Sequence, residues 1–108
     1  MSFSGAIESW FDKEWGGGLI LPDGWFGRPH DSQHSLTSLA ENGDSLTMIL
    51  DGDITLQFKK LKMVSPSPEE LLFRSFDSLR FEWQAPDGGP QEAKEYTSGE
   101  VRIVSAPG

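Results

Sequence analysis

The chain of 108 residues contains no cysteine. Disulfide frameworks, thiolate zinc sites and thiol catalysis are therefore excluded. No apolar run approaches the roughly 20 residues that a membrane helix requires. The N-terminal stretch MSFSGAIESW also lacks the basic segment and apolar core of a signal peptide. We therefore expect a cytoplasmic protein that does not associate with membranes.

Basic residues are scarce and unevenly distributed. The net charge is −8, and no Lys or Arg lies between Arg28 and Lys59, a stretch that holds five acidic residues. Phosphate contacts supply most of the affinity for nucleic acid, so this charge argues against nucleic acid and anionic lipid as partners. It favours a basic protein partner. The residues expected to form the acidic partner-binding surface are Glu41, Asp44, Asp51 and Asp53.

Catalytic and cofactor motifs are also missing. The sequence has no G-x-S-x-G elbow, no dinucleotide fingerprint and no phosphate-binding loop. Asp51-Gly52-Asp53 begins like a calcium loop, but Thr55 stands at the third ligand position and no glutamate follows at the required distance. We therefore expect no catalytic residue, no metal ligand and no cofactor.

The N-terminal segment has the periodicity of a helix. Between residues 4 and 15, the apolar residues lie on roughly one stripe at helical spacing: Ile7, Trp10, Phe11 and Trp15. Ser4 can cap the start, and the glycines at 16–18 end the helix because they lose too much backbone entropy within it. The aromatic stripe is expected to pack on a sheet.

The remainder of the chain is typical of β-structure. Residues 35–59 predict a three-stranded meander, because two alternating runs are separated by the Asp51-Gly52-Asp53 turn and the first run is preceded by the Asn42-Gly43-Asp44 turn. Leu71 to Phe76 reads as a helix after a capping box or as a strand after a proline-rich turn, and we favour the strand. Other predicted strands are GLILP, LRFEW, and EAKEYT with EVRIVS as a final hairpin.

These elements predict one domain over residues 1–108 of the β-rich α+β class. The expected architecture is an antiparallel meander, roll or small barrel of about seven or eight short strands with one N-terminal helix.

The segment LPDGWFGRPHDSQHSL, residues 21–36, is the candidate ligand- or partner-binding loop. Neighbouring aromatic residues in an extended segment point to opposite sides, so one of the Trp25–Phe26 pair should anchor the loop on the core. His30 and His34 have the spacing of a zinc-binding helix, but Pro29 disfavours a helix there. A loop held in place by its aromatic residues is the preferred interpretation. The candidate site residues are Trp25, Phe26, Arg28, His30, Asp31 and His34.

Two functional hypotheses follow. The first is a small acidic, non-enzymatic interaction domain, of the immunity-protein or inhibitor kind, that binds a basic protein. The alternative is a small-molecule or metal-binding protein, or an enzyme, whose site lies on the Trp25–His34 loop. Homo-oligomerisation through the aromatic helix or an open sheet edge is a third arrangement that the sequence leaves open.

Overall fold

The computed structural model of the protein describes residues 3–14, 17–26, 34–84 and 91–105. One helix, α1 (Ser4–Glu14), precedes the strands. The strands are β1 (Gly17–Leu21), β2 (Gly24–Phe26), β3 (Leu36–Asn42), β4 (Ser45–Leu50), β5 (Ile54–Lys59), β6 (Met63–Pro66), β7 (Glu70–Arg74), β8 (Ser78–Gln84), β9 (Gln91–Tyr96) and β10 (Glu100–Ser105). Within these residues, no helix has the length and apolar character needed to cross a membrane.

The strands form two antiparallel sheets of five strands each. The first sheet has the order β2-β1-β10-β7-β6, and the second has the order β3-β4-β5-β8-β9. The predicted β-rich class with one N-terminal helix is confirmed. The structure also confirms the meander of β3, β4 and β5, and it confirms that a strand, β7, follows the proline-rich turn. The structure has more strands than the seven or eight expected, because β2 and β6 are too short to show a clear two-residue period in the sequence.

Each sheet buries one face against the other. Alternation along β4, β5 and β8 places apolar side chains inward and, with the exception of Ile49, polar ones outward, as period-two strands require. Phe58 of one sheet stacks on Phe73 of the other, with ring centroids 5.1 Å apart. The core therefore lies between the sheets.

The prediction of a final hairpin was wrong. β9 pairs with β8 at the edge of the second sheet, whereas β10 lies between β1 and β7 in the first. The connection passes through Gly99, whose φ of 108° is a conformation that favours glycine. Turn residues predict a change of direction but not whether the next strand pairs with its predecessor or crosses to another sheet.

Helix α1 lies across one open side of the two sheets and contacts the edge strands β3 and β6. Three residues of its predicted stripe, Ile7, Trp10 and Phe11, are buried in the core, and Trp15 lies outside the described residues. The Trp10 indole N–H also donates a hydrogen bond to the Ser67 carbonyl at 2.7 Å. The helix is thus fixed to the segment that precedes β7.

Because β1 and β10 approach each other closely at Gly17, we expect one added methyl group there to destabilise the fold. A Cβ atom at Gly17 would lie 2.0 Å from the Val104 carbonyl oxygen. We expect Gly17→Ala to lower the free energy of unfolding by about 1–3 kcal/mol, because the strands must separate to admit the methyl group. Urea denaturation followed by circular dichroism measures this change.

Gly5→Ala is the matched control, because no atom lies within 4 Å of a Cβ at Gly5 in α1. The free energy of unfolding of this variant should exceed that of the parent chain by about 0.5–1 kcal/mol, since alanine loses less backbone entropy than glycine when a helix forms. Equal stability of Gly17→Ala and the parent chain would show that the two strands are not held at this distance.

Candidate functional site

The predicted binding loop begins with strand β2. Phe26 is half-buried, and its ring meets those of Phe81 and Trp83 at centroid distances of 5.1 and 5.5 Å. Phe26 is therefore the aromatic residue that anchors this segment to the core. Trp25 lies beside it in β2, with its backbone paired to Ile20. The candidates Arg28, His30 and Asp31 lie outside the described residues.

His34 connects the two sheets. Its backbone N–H donates to the Gly17 carbonyl at 2.8 Å and its carbonyl accepts from the Gly17 N–H at 3.1 Å. Its Nδ1 lies 2.6 Å from a carboxylate oxygen of Asp51, which is in the turn between β4 and β5. The other oxygen of Asp51 accepts a hydrogen bond from the Ser35 backbone N–H at 2.9 Å. Asp51 thus joins its own turn to the segment that enters β3.

The His34–Asp51 pair fixes the imidazole in one orientation. A carboxylate only accepts hydrogen bonds, so Nδ1 carries the hydrogen of this bond. An aspartate that orients a histidine in this way is a common arrangement in general-base catalysis. Here, however, the His34 side chain is only 9% exposed, and its buried Nε2 has no hydrogen-bond partner among the described residues. A substrate does not reach that nitrogen in this conformation, and the contacts of the pair are those of a structural link between the sheets.

Glu41 holds the start of α1. Its carboxylate accepts hydrogen bonds from the backbone N–H groups of Phe3 and Ser4, at 3.1 and 3.2 Å, and from the Ser4 hydroxyl at 2.6 Å. Free N–H groups and the helix dipole make the N-terminus of a helix electropositive, so an acidic side chain is stabilising there. Glu41 therefore caps the helix from strand β3.

The other two predicted acidic residues lie far apart. Asp44 is exposed in the turn before β4, and Asp53 is half-buried in the turn after it. The six residues of β4, at about 3.4 Å each, separate these turns by roughly 20 Å. The four acidic candidates thus fall into two groups at opposite ends of one strand, and Glu41 and Asp51 are engaged within the protein.

Arginine side chains on the outer faces of both sheets are paired with acidic neighbours. On the second sheet, Arg80 contacts Glu82 and also Glu95, the latter at 3.1 Å. On the first sheet, Arg102 lies 3.3 Å from Glu100 and 3.7 Å from Glu70, and Arg74 also approaches Glu100. Opposite charges therefore largely cancel on both faces.

Asp23 and Tyr96 connect the first sheet to β9. The Tyr96 hydroxyl donates to the Asp23 carboxylate at 3.0 Å, and the Lys94 ammonium lies 3.3 Å from the same side chain. The hydrogen bond from Tyr96, assisted by Lys94, lowers the pKa of Asp23. Burial, followed by the contact with Asp23, raises the pKa of Tyr96. These contacts hold together the side of the molecule that is remote from β3.

A groove of about 680 Å³ lies between α1 and the edge strand β3. Glu8 and Asp12 line it from exposed positions on the helix, and no cation of the described residues lies within ion-pair distance of either. The apolar part of the lining comes from Phe11, Leu36 and Leu39. The groove therefore combines an apolar lining with uncompensated negative charge.

Glu8 and Asp12 are not among the binding residues predicted from the sequence. They lie four residues apart, so they occupy one face of α1 beside its apolar stripe. The sequence shows this spacing, but it does not show which sheet edge faces the helix.

The described residues contain no group of three His, Asp or Glu side chains that could hold a metal ion. Comparisons with models of known protein families, with curated proteins and with solved structures found no match.

The link between His34 and Asp51 predicts energetic coupling. We expect His34→Leu and Asp51→Asn each to lower the free energy of unfolding, by about 1–3 kcal/mol, because each leaves a buried or bonded partner unsatisfied. Asparagine tolerates the φ of 56° at position 51. The double variant should be less destabilised than the sum of the two, with a coupling energy of at least about 1 kcal/mol. Additive losses in urea denaturation would contradict a direct link.

Proposed function

We propose that the protein is a non-enzymatic interaction domain that binds a basic protein partner. The partner would contact the acidic side, which we define by the exposed carboxylates of Glu8, Asp12 and Asp44. The proposal rests on the distribution of charge. The arginines on the outer sheet faces are ion-paired, whereas these three carboxylates have no cationic partner among the described residues.

The three carboxylates are spread along the length of α1 and β3, with Asp44 next to the start of the helix and Glu8 and Asp12 beside residues 35–39. Glu8 and Asp12 line the groove beside β3, and Asp44 follows β3 in the next turn. Asp44 also borders a smaller depression that includes Phe3, next to the start of α1. Uncompensated charge of one sign creates a potential that accelerates association with an opposite charge and sets the orientation of the partner.

A partner of this kind suits an immunity-like or inhibitor-like role. The net charge of −8 would be neutralised by a basic protein, and the complex would mask the basic surface of that protein. No reaction is required for such a role, and the buried Nε2 of His34 offers no accessible base in this conformation.

Partner capture at two salt concentrations tests the proposal. Tagged protein is incubated with lysate of the native host at low salt and at 1 M salt, and bound proteins are identified by mass spectrometry. A discrete basic partner should be retained at low salt and lost at 1 M, where screening acts over roughly 3 Å.

Charge-matched variants locate the contact. Asp12→Asn/Asp44→Asn should lower capture of that partner about tenfold or more, because it removes two carboxylates of the acidic side. Glu92→Gln/Glu95→Gln makes the same charge change on β9, at the opposite edge of the second sheet, and should leave capture within about twofold. A partner that is insensitive to salt and to the first variant would contradict the proposal.

A further inference from the structure

We propose that the groove between α1 and β3 binds an extended basic segment of the partner, which adds a strand to the free edge of β3. This inference rests on the proposed function and names the part of the partner that is recognised. It concerns the groove of about 680 Å³ and the two carboxylates that line it.

The wall of the groove is the edge of a strand. Five consecutive residues, 35–39, line it from the β3 side. Side chains of a strand alternate between its two faces, so consecutive residues share a wall only where the edge itself faces the cavity. β3 is the terminal strand of its sheet, and β4 is its one partner strand among the described residues. An edge strand presents unpaired N–H and C=O groups that can bind another strand.

Space for an added strand is present despite the nearby helix. α1 contacts β3, yet the groove between them remains open. The backbone N–H and C=O of Ser35 already bond to Asp51, so the free part of this edge begins at Leu36. Residues 36–39 extend over roughly 14 Å at about 3.4 Å per residue, which matches a peptide segment of about four residues. The register of β3 against β4 shifts between Leu36 and Ser38, an irregularity that the added strand would have to accommodate.

The charge spacing on the helix suits a strand. Glu8 and Asp12 are one helical turn apart, about 6 Å along the axis at 1.5 Å per residue. Alternate side chains of a strand project on one face about 7 Å apart. Basic residues at positions i and i+2 of the segment could therefore pair with both carboxylates. Apolar side chains on its other face would meet Leu36 and Leu39, which are partly buried against the core.

The edge of β9 is less suitable for the same partner. Residues 91–95 are all exposed, and Glu92 and Lys94 place both signs of charge on that strand. Mixed charge on an open edge discourages strand addition. β3, by contrast, has a groove with carboxylates of one sign beside it.

The probe for this inference is the synthetic peptide Lys-Thr-Lys-Val-Lys-Thr-Lys, acetylated and amidated at its ends. Its control carries N-methyl groups on alternate backbone nitrogens, which keep the charge but prevent strand pairing. Calorimetric titration should show that the full-length protein binds the unmodified peptide about tenfold more tightly than the methylated one, since only the former donates the backbone hydrogen bonds.

Variants of the protein complete the test. Glu8→Gln/Asp12→Asn should weaken peptide binding about tenfold, and Glu92→Gln/Glu95→Gln should change it less than about twofold. Amide hydrogen exchange in β3 should slow about tenfold in the complex, because the edge groups become hydrogen-bonded. Failure of the peptide to bind, equal binding of both peptides, or unchanged exchange in β3 would overturn the inference.

The two proposals fail in different ways. If the peptide tests fail but Asp12→Asn/Asp44→Asn still abolishes capture of the basic partner, strand addition is wrong and the acidic interaction domain stands. If capture is also unaffected by that variant, both proposals are wrong.

Discussion

The packing of α1 against the open side of the two sheets is the contact that determines which charges the molecule exposes. Two five-stranded sheets bury their apolar faces against each other, and the helix covers the side between edge strands β3 and β6. Ile7, Trp10 and Phe11 enter the core, while the indole of Trp10 and the carboxylate of Glu41 fix the helix at two points. A helix held in this way must present its remaining face to solvent.

That remaining face gives the molecule its charge asymmetry. Ion pairs on the outer faces of the sheets leave little net charge there, whereas Glu8 and Asp12 on the helix have no cationic partner among the described residues. The groove beside them exists because α1 contacts β3 without covering its whole edge. The packing that completes the core therefore also places an acidic groove next to a strand edge that has no partner strand among the described residues, and this geometry supports the proposed binding of a basic segment.

Local sequence patterns predicted the helix and most strands well. They predicted contacts between distant residues poorly. Period and turn residues identified α1 and the meander of residues 35–59, because both signals are local. The pairing of His34 with Asp51, 17 residues away, could not be predicted, since spacing says nothing about which turn meets which strand. For the same reason, the contact of Glu41 with the start of α1 could not be predicted. The sites on Arg28, His30 and Asp31 stay predictions, because those residues lie outside the described part of the chain.

The most direct test of the central claim is the hydrogen-exchange footprint of the basic partner on the full-length protein. The account predicts that slower exchange on complex formation is concentrated in α1 and β3, and that β9 and the outer faces of both sheets change little. Protection of β9 or of the sheet faces, with α1 and β3 unchanged, would contradict it, because the partner would then bind where the charges are already paired.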